Sequence, residues 1–138
     1  MQYQNYQLFC ECTMVALWNA ARYFNLSVPI VGSRLYIKIC KEAGCIHGGC
    51  ISREPERERL KITINPGSWS YEWISKNIPV HLALFTHRGY HSVLVVAENN
   101  SRLLLANYAR GRTHWMRWGT ILEKRNQHAI PYSYKLEL

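Results

Sequence analysis

Apolar and polar positions divide the chain into a helical first third and a longer stretch of alternating, strand-like pattern. From Cys12 onward, Met14, Leu17, Trp18, Ala21 and Phe24 recur at the spacing of one helical face, and Ala16 and Ala20 add propensity. This predicts a buried helix over 12–24, ending at Asn25, which tolerates the left-handed conformation. Residues 33–43 predict a second helix closed by Gly44, followed by a loop over 45–50 and a mixed-charge segment from Arg53 to Arg59. Leu60 to Ile64 alternates as a short strand turned by Asn65-Pro66-Gly67. Ser68 then caps a third helix over 69–76, stopped at Asn77-Ile78-Pro79. Pro79 to Phe85 reads as a buried strand, and His87-Arg88-Gly89 turns the chain into the β-branched run His91 to Val96. Glu98-Asn99-Asn100-Ser101 makes a turn, and Leu103 to Ala106 returns as partner strand. After Gly111 come Thr113 to Trp118, a short helix over 119–125 and an alternating last strand over 132–138. Helices first and antiparallel strands later indicate an α+β domain spanning 1–138.

Composition narrows the class. A chain of 138 residues with 48% hydrophobic content buries a core without disulfide staples. No apolar run reaches membrane-spanning length, and Met1-Gln2-Tyr3-Gln4 starts no signal peptide, so a cytoplasmic protein is expected. Five cysteines, an odd number, read as reduced thiols in a reducing compartment. Lys plus Arg number 17 against 9 for Asp plus Glu, a formal charge of +8. The basic residues are scattered, from Arg53, Arg57 and Arg59 among glutamates to Arg102, Arg110, Arg112 and Arg117 in the last third. The charge therefore reads as solubility, with nucleic acid a minority partner.

The candidate chemistry lies at three points. Cys10-Glu11-Cys12 opens the first helix, where unpaired backbone N–H groups and the dipole favour a thiolate. His91 begins a central strand. A regular hairpin would return Asn107 to that end, where its amide oxygen can orient the imidazole. Gln7, just upstream of the cysteines, can offer an amide to an oxyanion.

The order glutamine, cysteine, histidine, asparagine is that of the papain-like cysteine proteases. Glu11-Cys12-Thr13 with Met14 to Leu17 and Tyr23-Phe24-Asn25 resembles the nucleophile helix of the bacteriocin-processing peptidases, which remove double-glycine leaders. Asn77-Ile78-Pro79-Val80 is similar to that family's Gly-x-Pro-Val segment, His91 to Val96 to its histidine strand, and Asn107-Tyr108-Ala109-Arg110-Gly111 to its Asp-Pro-x-x-Gly turn. The resemblance covers residues 7–111. It implies a papain-like fold, with a nucleophile helix packed on a small antiparallel sheet. It also implies that Cys12 is the nucleophile, His91 the general base and acid, Asn107 the orienting residue and Gln7 the oxyanion donor. The chain departs from the family at Thr13, where glycine is usual, at Asn107, where aspartate is usual, and at Gln7, one residue late. A second register pairs Gln4 with Cys10 at the usual spacing but shifts the helix match by two residues; Cys12 is preferred.

The expected activity is thiol-dependent hydrolysis of a peptide or protein substrate. The alternative is a degenerate papain-like fold serving binding or assembly, for example in a virion. No cofactor and no metal are expected. Cys40, Cys45, His47 and Cys50 have the ligand types of a zinc site, but their spacing matches no common finger and Cys40 falls inside a helix. Trp69, Trp73, Trp115 and Trp118 read as core or cleft lining and His87 as a turn residue.

Overall fold

The computed structural model describes residues 2–45, 49–87 and 89–137. The first helix, α1 (Cys12–Tyr23), forms as the periodicity predicts, and Asn25 takes the left-handed conformation just beyond it, with φ 63°. Every residue from Met14 to Ala21 is buried, so α1 is a central helix covered on more than one face. Its second cover is α2 (Arg34–Glu42), which starts where the Ser33 hydroxyl accepts from the Tyr36 N–H.

The mixed-charge segment after the cysteine loop folds as a helix, α3 (Glu54–Leu60). Apolar periodicity misses it because it presents few apolar residues. It is instead specified by its ends: Pro55 and two glutamates in the first turn, Arg57 and Arg59 in the last, all suited to the helix dipole. Lys61 closes it at φ 56°, and β1 (Ile62–Pro66) follows, starting later than the alternation suggested. The next helix, α4 (Tyr71–Lys76), is capped by Ser70 and not by Ser68: the Ser70 hydroxyl accepts from the Trp73 N–H.

The rest of the chain is β2 (Val80–Thr86), β3 (Gly89–Asn99), β4 (Arg102–Ala109), β5 (Arg112–Arg117), α5 (Trp118–Lys124) and β6 (Tyr132–Leu136). Asn100 and Ser101, both at positive φ, make the two-residue turn between β3 and β4 that matches strand twist. The strands form one six-stranded antiparallel sheet in the order β1-β6-β2-β3-β4-β5.

Alternation along β3 explains the layering. Leu94 and Val96 join the core made with α1, α2, Leu60 and Tyr134, whereas Val93 and Val95 join Ile74 of α4 and Ile121 of α5. A central strand covered on both faces needs a continuous apolar run, which Val93 to Val96 provides. Trp69, Trp73 and Trp118 pack on the second core, while Trp115 is exposed on β5. Gly67 is a point of close approach, since a Cβ there would lie 2.2 Å from the Trp73 ring. Gly67→Ala is therefore expected to destabilise by about 1–3 kcal/mol, read as a lower urea midpoint with an unchanged m-value.

Two cysteine expectations change. Cys45 and Cys50 form a disulfide, leaving Cys10, Cys12 and Cys40 free. An odd count excludes complete pairing, not a single bond. Disulfide sulfurs are not thiolate ligands, and burial pushes the Cys40 thiol up to about 12, with the charges of Glu11 and Glu56 adding to the effect. The zinc candidate thus loses three of its four ligands, and His47 lies outside the described residues. Among the described residues no helix is long and apolar enough to cross a membrane.

Candidate active site

The segment before α1 is held rigidly. The Glu11 carboxylate, fully buried, accepts the Leu8 and Phe9 N–H groups at 3.0 and 2.5 Å and the Tyr36 hydroxyl at 2.6 Å. Gln4 donates through Nε2 to the Tyr36 hydroxyl and the Tyr6 carbonyl, and its backbone exchanges two hydrogen bonds with the Asn19 side chain. This ties the chain to α1 and α2 and sets Cys12 as the first residue of α1. There its N–H has no intrahelical acceptor and the helix dipole favours negative charge.

The sheet brings His91, at the start of β3, to the same point. Cys12 and His91 are hydrogen-bonded side chain to side chain, and the Ser92 N–H donates to the cysteine sulfur. Burial pushes the Cys12 thiol up, but these two bonds and the imidazole charge outweigh it and hold the thiol below its usual range. Burial likewise pulls His91 down, and the bond to Cys12, the bond to the Asn107 carbonyl and the thiolate charge raise it above its usual value. The two groups thus stabilise each other's charged form, the pairing a cysteine nucleophile needs.

Asn107 reaches the imidazole by a different atom from the one expected. His91 Nε2 donates to the Asn107 backbone carbonyl at 2.5 Å, which leaves Nδ1 as the ring nitrogen for the sulfur. The Asn107 side chain turns away and donates from Nδ2 to Gln7 Oε1 at 3.2 Å. The cause is a bulge between β4 and β5 over Leu105 to Ala109, inside which Asn107 adopts φ 64°. That conformation re-aims both the carbonyl and the side chain, and asparagine tolerates it. Asn5 fixes the bulge, its Oδ1 accepting the Asn107 N–H at 2.8 Å and its carbonyl accepting the Gly111 N–H.

Gln7 therefore sits beside the site through Asn107, and its Nε2 donates to the Phe9 carbonyl at 2.9 Å. Cys10 is exposed and precedes the helix, while Gln4 is buried against Tyr36; in this geometry His91 meets Cys12 and not Cys10. The reading from sequence missed Asn5, Ser92 and His81. Asn5 lies in a polar leader with no pattern to mark it. Ser92 and His81 do carry a signal, as polar residues interrupting apolar strand runs and nevertheless buried.

Chemically, the arrangement offers a sulfur able to ionise, an imidazole able to take and return a proton, a carbonyl fixing the ring, and a helix N-terminal N–H as oxyanion donor. No family model and no curated protein matches the chain. Among solved structures it is similar to the peptidase domain of Streptococcus ComA, a bi-functional ABC transporter involved in a quorum-sensing pathway. The likeness has a TM-score of 0.71 and covers 99% of this chain and 100% of that one, at 10% sequence identity. At that identity it is a likeness of fold. The chain has a papain-like α+β peptidase fold, the architecture implied by its sequence resemblance to the bacteriocin-processing peptidases.

Proposed function

We propose that this protein is a cysteine peptidase in which Cys12 attacks a peptide or amide carbonyl, His91 transfers the proton and Asn107 holds the imidazole. The observation that carries this reading is the hydrogen bond between the Cys12 thiol and His91 at the N-terminus of α1. In the first step the thiolate adds to the carbonyl carbon, and the Cys12 N–H receives the negative charge on oxygen. The imidazolium then protonates the leaving amine. Water, deprotonated by the neutral imidazole, hydrolyses the thioester. The substrate is a peptide or protein, and no cofactor enters the chemistry.

The pH–rate profile of iodoacetamide alkylation, with the labelled cysteine located by mass spectrometry, tests this directly. Alkylation consumes thiolate, so Cys12 is expected to label with a midpoint below the usual thiol range. In His91→Ala the midpoint should move up, because desolvation remains while the largest opposing bond is lost. Slow labelling of Cys12, or a profile indifferent to His91, would remove the nucleophile assignment.

One observation favours a second reading, a catalytically silent fold used for binding or assembly. The Gln7 amide is engaged by Phe9 and Asn107, where an oxyanion donor would be open to substrate. That reading predicts a reactive thiol with no turnover of any peptide in a fluorescence-quenched library. The cytoplasmic placement keeps no support from the thiols, since Cys45 and Cys50 are paired.

A further inference from the structure

The arginines scattered along the last third of the sequence are gathered by the β4–β5 hairpin. Between Asn99 and Leu122 the chain has no acidic residue and four arginines, Arg102, Arg110, Arg112 and Arg117, against a formal net charge of +8 for the whole protein. All four are exposed, and none is in an ion pair among the described residues. Arg102 lies directly opposite Arg117, with Asn99 of β3 completing the row, and Arg110 and Arg112 flank Gly111 at the turn. Glu98, the acid nearest in sequence, is paired with Leu103 of the second core and so belongs to the other face, where its carboxylate accepts the Tyr71 hydroxyl. Aromatic rings stand among these charges. The row beside Arg102 and Arg117 is Leu104 with Trp115; Leu104 packs on the α1 core, and Trp115, on the same side of the sheet, is 42% exposed. On the opposite side His114 lies against Tyr108, with ring centroids 5.3 Å apart. Strand β5 is the last of the sheet, so the whole strip borders a free edge.

We propose that the β4–β5 edge binds single-stranded nucleic acid, its arginines taking the phosphates and Trp115 stacking on a base. Like charges directly opposite on a strand pair destabilise the free protein, and an anion held between Arg102 and Arg117 removes that repulsion. Arginine suits phosphate, because its planar fork donates two parallel hydrogen bonds. Along β5 the guanidinium-bearing positions 112 and 117 are about 17 Å apart at strand spacing, and Trp115 stands between them. An extended single strand crossing that length presents several phosphates, and each of its bases offers a face to the indole. A duplex hides its base faces, so Trp115 would add nothing there. Edge strands do carry charges that keep sheets from pairing, but that role needs neither facing arginines nor an exposed indole. The strip is separate from Cys12 and His91, and the proposal is independent of the cysteine peptidase reading.

The test is fluorescence anisotropy of a short labelled oligothymidylate titrated with the full chain, from about 50 to about 200 mM salt. Four phosphate contacts should give log K against log salt a slope of about −2.8, a loss of about fifty-fold over that range. Arg102→Gln, Arg112→Gln and Arg117→Gln should each make the slope shallower by about 0.7. Trp115→Ala should weaken binding about tenfold and leave the slope unchanged, with Trp115→Phe falling between it and the wild type. Lys38→Gln and Lys41→Gln, at exposed positions of α2, should leave both slope and affinity near wild type. Every substituted side chain is exposed, and circular dichroism checks the fold of each variant. No binding at the lower salt overturns the proposal. So does a slope that the three arginine variants leave unmoved, or that the two lysine variants change as much. Poly-glutamate competing on equal terms with the oligothymidylate also overturns it and makes an acidic chain the partner. A duplex of the same length bound as tightly, with Trp115→Ala without effect, would remove the single strand.

Discussion

Cys12→Ala is expected to remove peptide hydrolysis by about four orders of magnitude or more, while the protein stays folded. The size follows from the chemistry: without the sulfur there is no acyl-enzyme, and His91 with the oxyanion donor can only assist water. The folding expectation follows from the position. Cys12 is the first residue of α1 and only partly buried, so truncation leaves no large cavity, and alanine is a good helix former. Cys10→Ala should leave turnover unchanged, because Cys10 is exposed and lies ahead of the helix. The pair of variants is assayed on one peptide library with circular dichroism as the folding control. Turnover that survives in Cys12→Ala and disappears in Cys10→Ala would transfer the nucleophile to Cys10. Turnover that survives in both would end the cysteine mechanism.

The largest stability effect is expected at Trp18. Its side chain is fully buried in the middle of α1, packs against Tyr36 with ring centroids 4.8 Å apart, and donates from Nε1 to Glu56 at 2.5 Å. Trp18→Ala opens a cavity of indole size between α1, α2 and α3. A change of this kind costs about 3–5 kcal/mol. It also strips the buried Glu56 carboxylate of one donor, leaving Arg59 as its hydrogen-bond partner among the described residues. Against a domain stability of about 5–15 kcal/mol this is a large fraction. A fall of at least several degrees in Tm is the expected reading. Trp18→Phe, which keeps the ring and loses only the N–H, should fall between wild type and alanine. An alanine variant as stable as the wild type would mean that α1 is not anchored through this residue.

Trp18 also shows how activity and stability are linked here. Helix α1 both fills the core and presents Cys12, so a loosened α1 should lower turnover before the protein unfolds globally. The Glu11 carboxylate has the same double role at the helix start, joining Tyr36 of α2 to the segment that enters α1.

Much of the architecture was legible in the chain. The apolar spacing from Met14 to Phe24 marks α1, the run from His91 to Val96 marks a strand, and Glu98-Asn99-Asn100-Ser101 marks the hairpin turn, because each is a local pattern with a local physical cause. Helix α3 was not legible by periodicity, since its specification lies in end charges and Pro55. The caps of α4 were misjudged because Ser68 and Ser70 are equally good candidates until the backbone decides which hydroxyl faces an N–H.

By itself, the sequence determined the fold class, the order of the elements and the residue types from which a thiol site is built. Only the tertiary structure decided which atoms meet. It set Cys12 and not Cys10 against His91, made the Asn107 carbonyl and not its amide the partner of the imidazole, and brought His81 against Ser92. The reason is that such meetings depend on a bulge between β4 and β5, on the register of β2 against β3, and on how a buried carboxylate fixes the entry to α1. These are long-range relations, and no local pattern of residues encodes them.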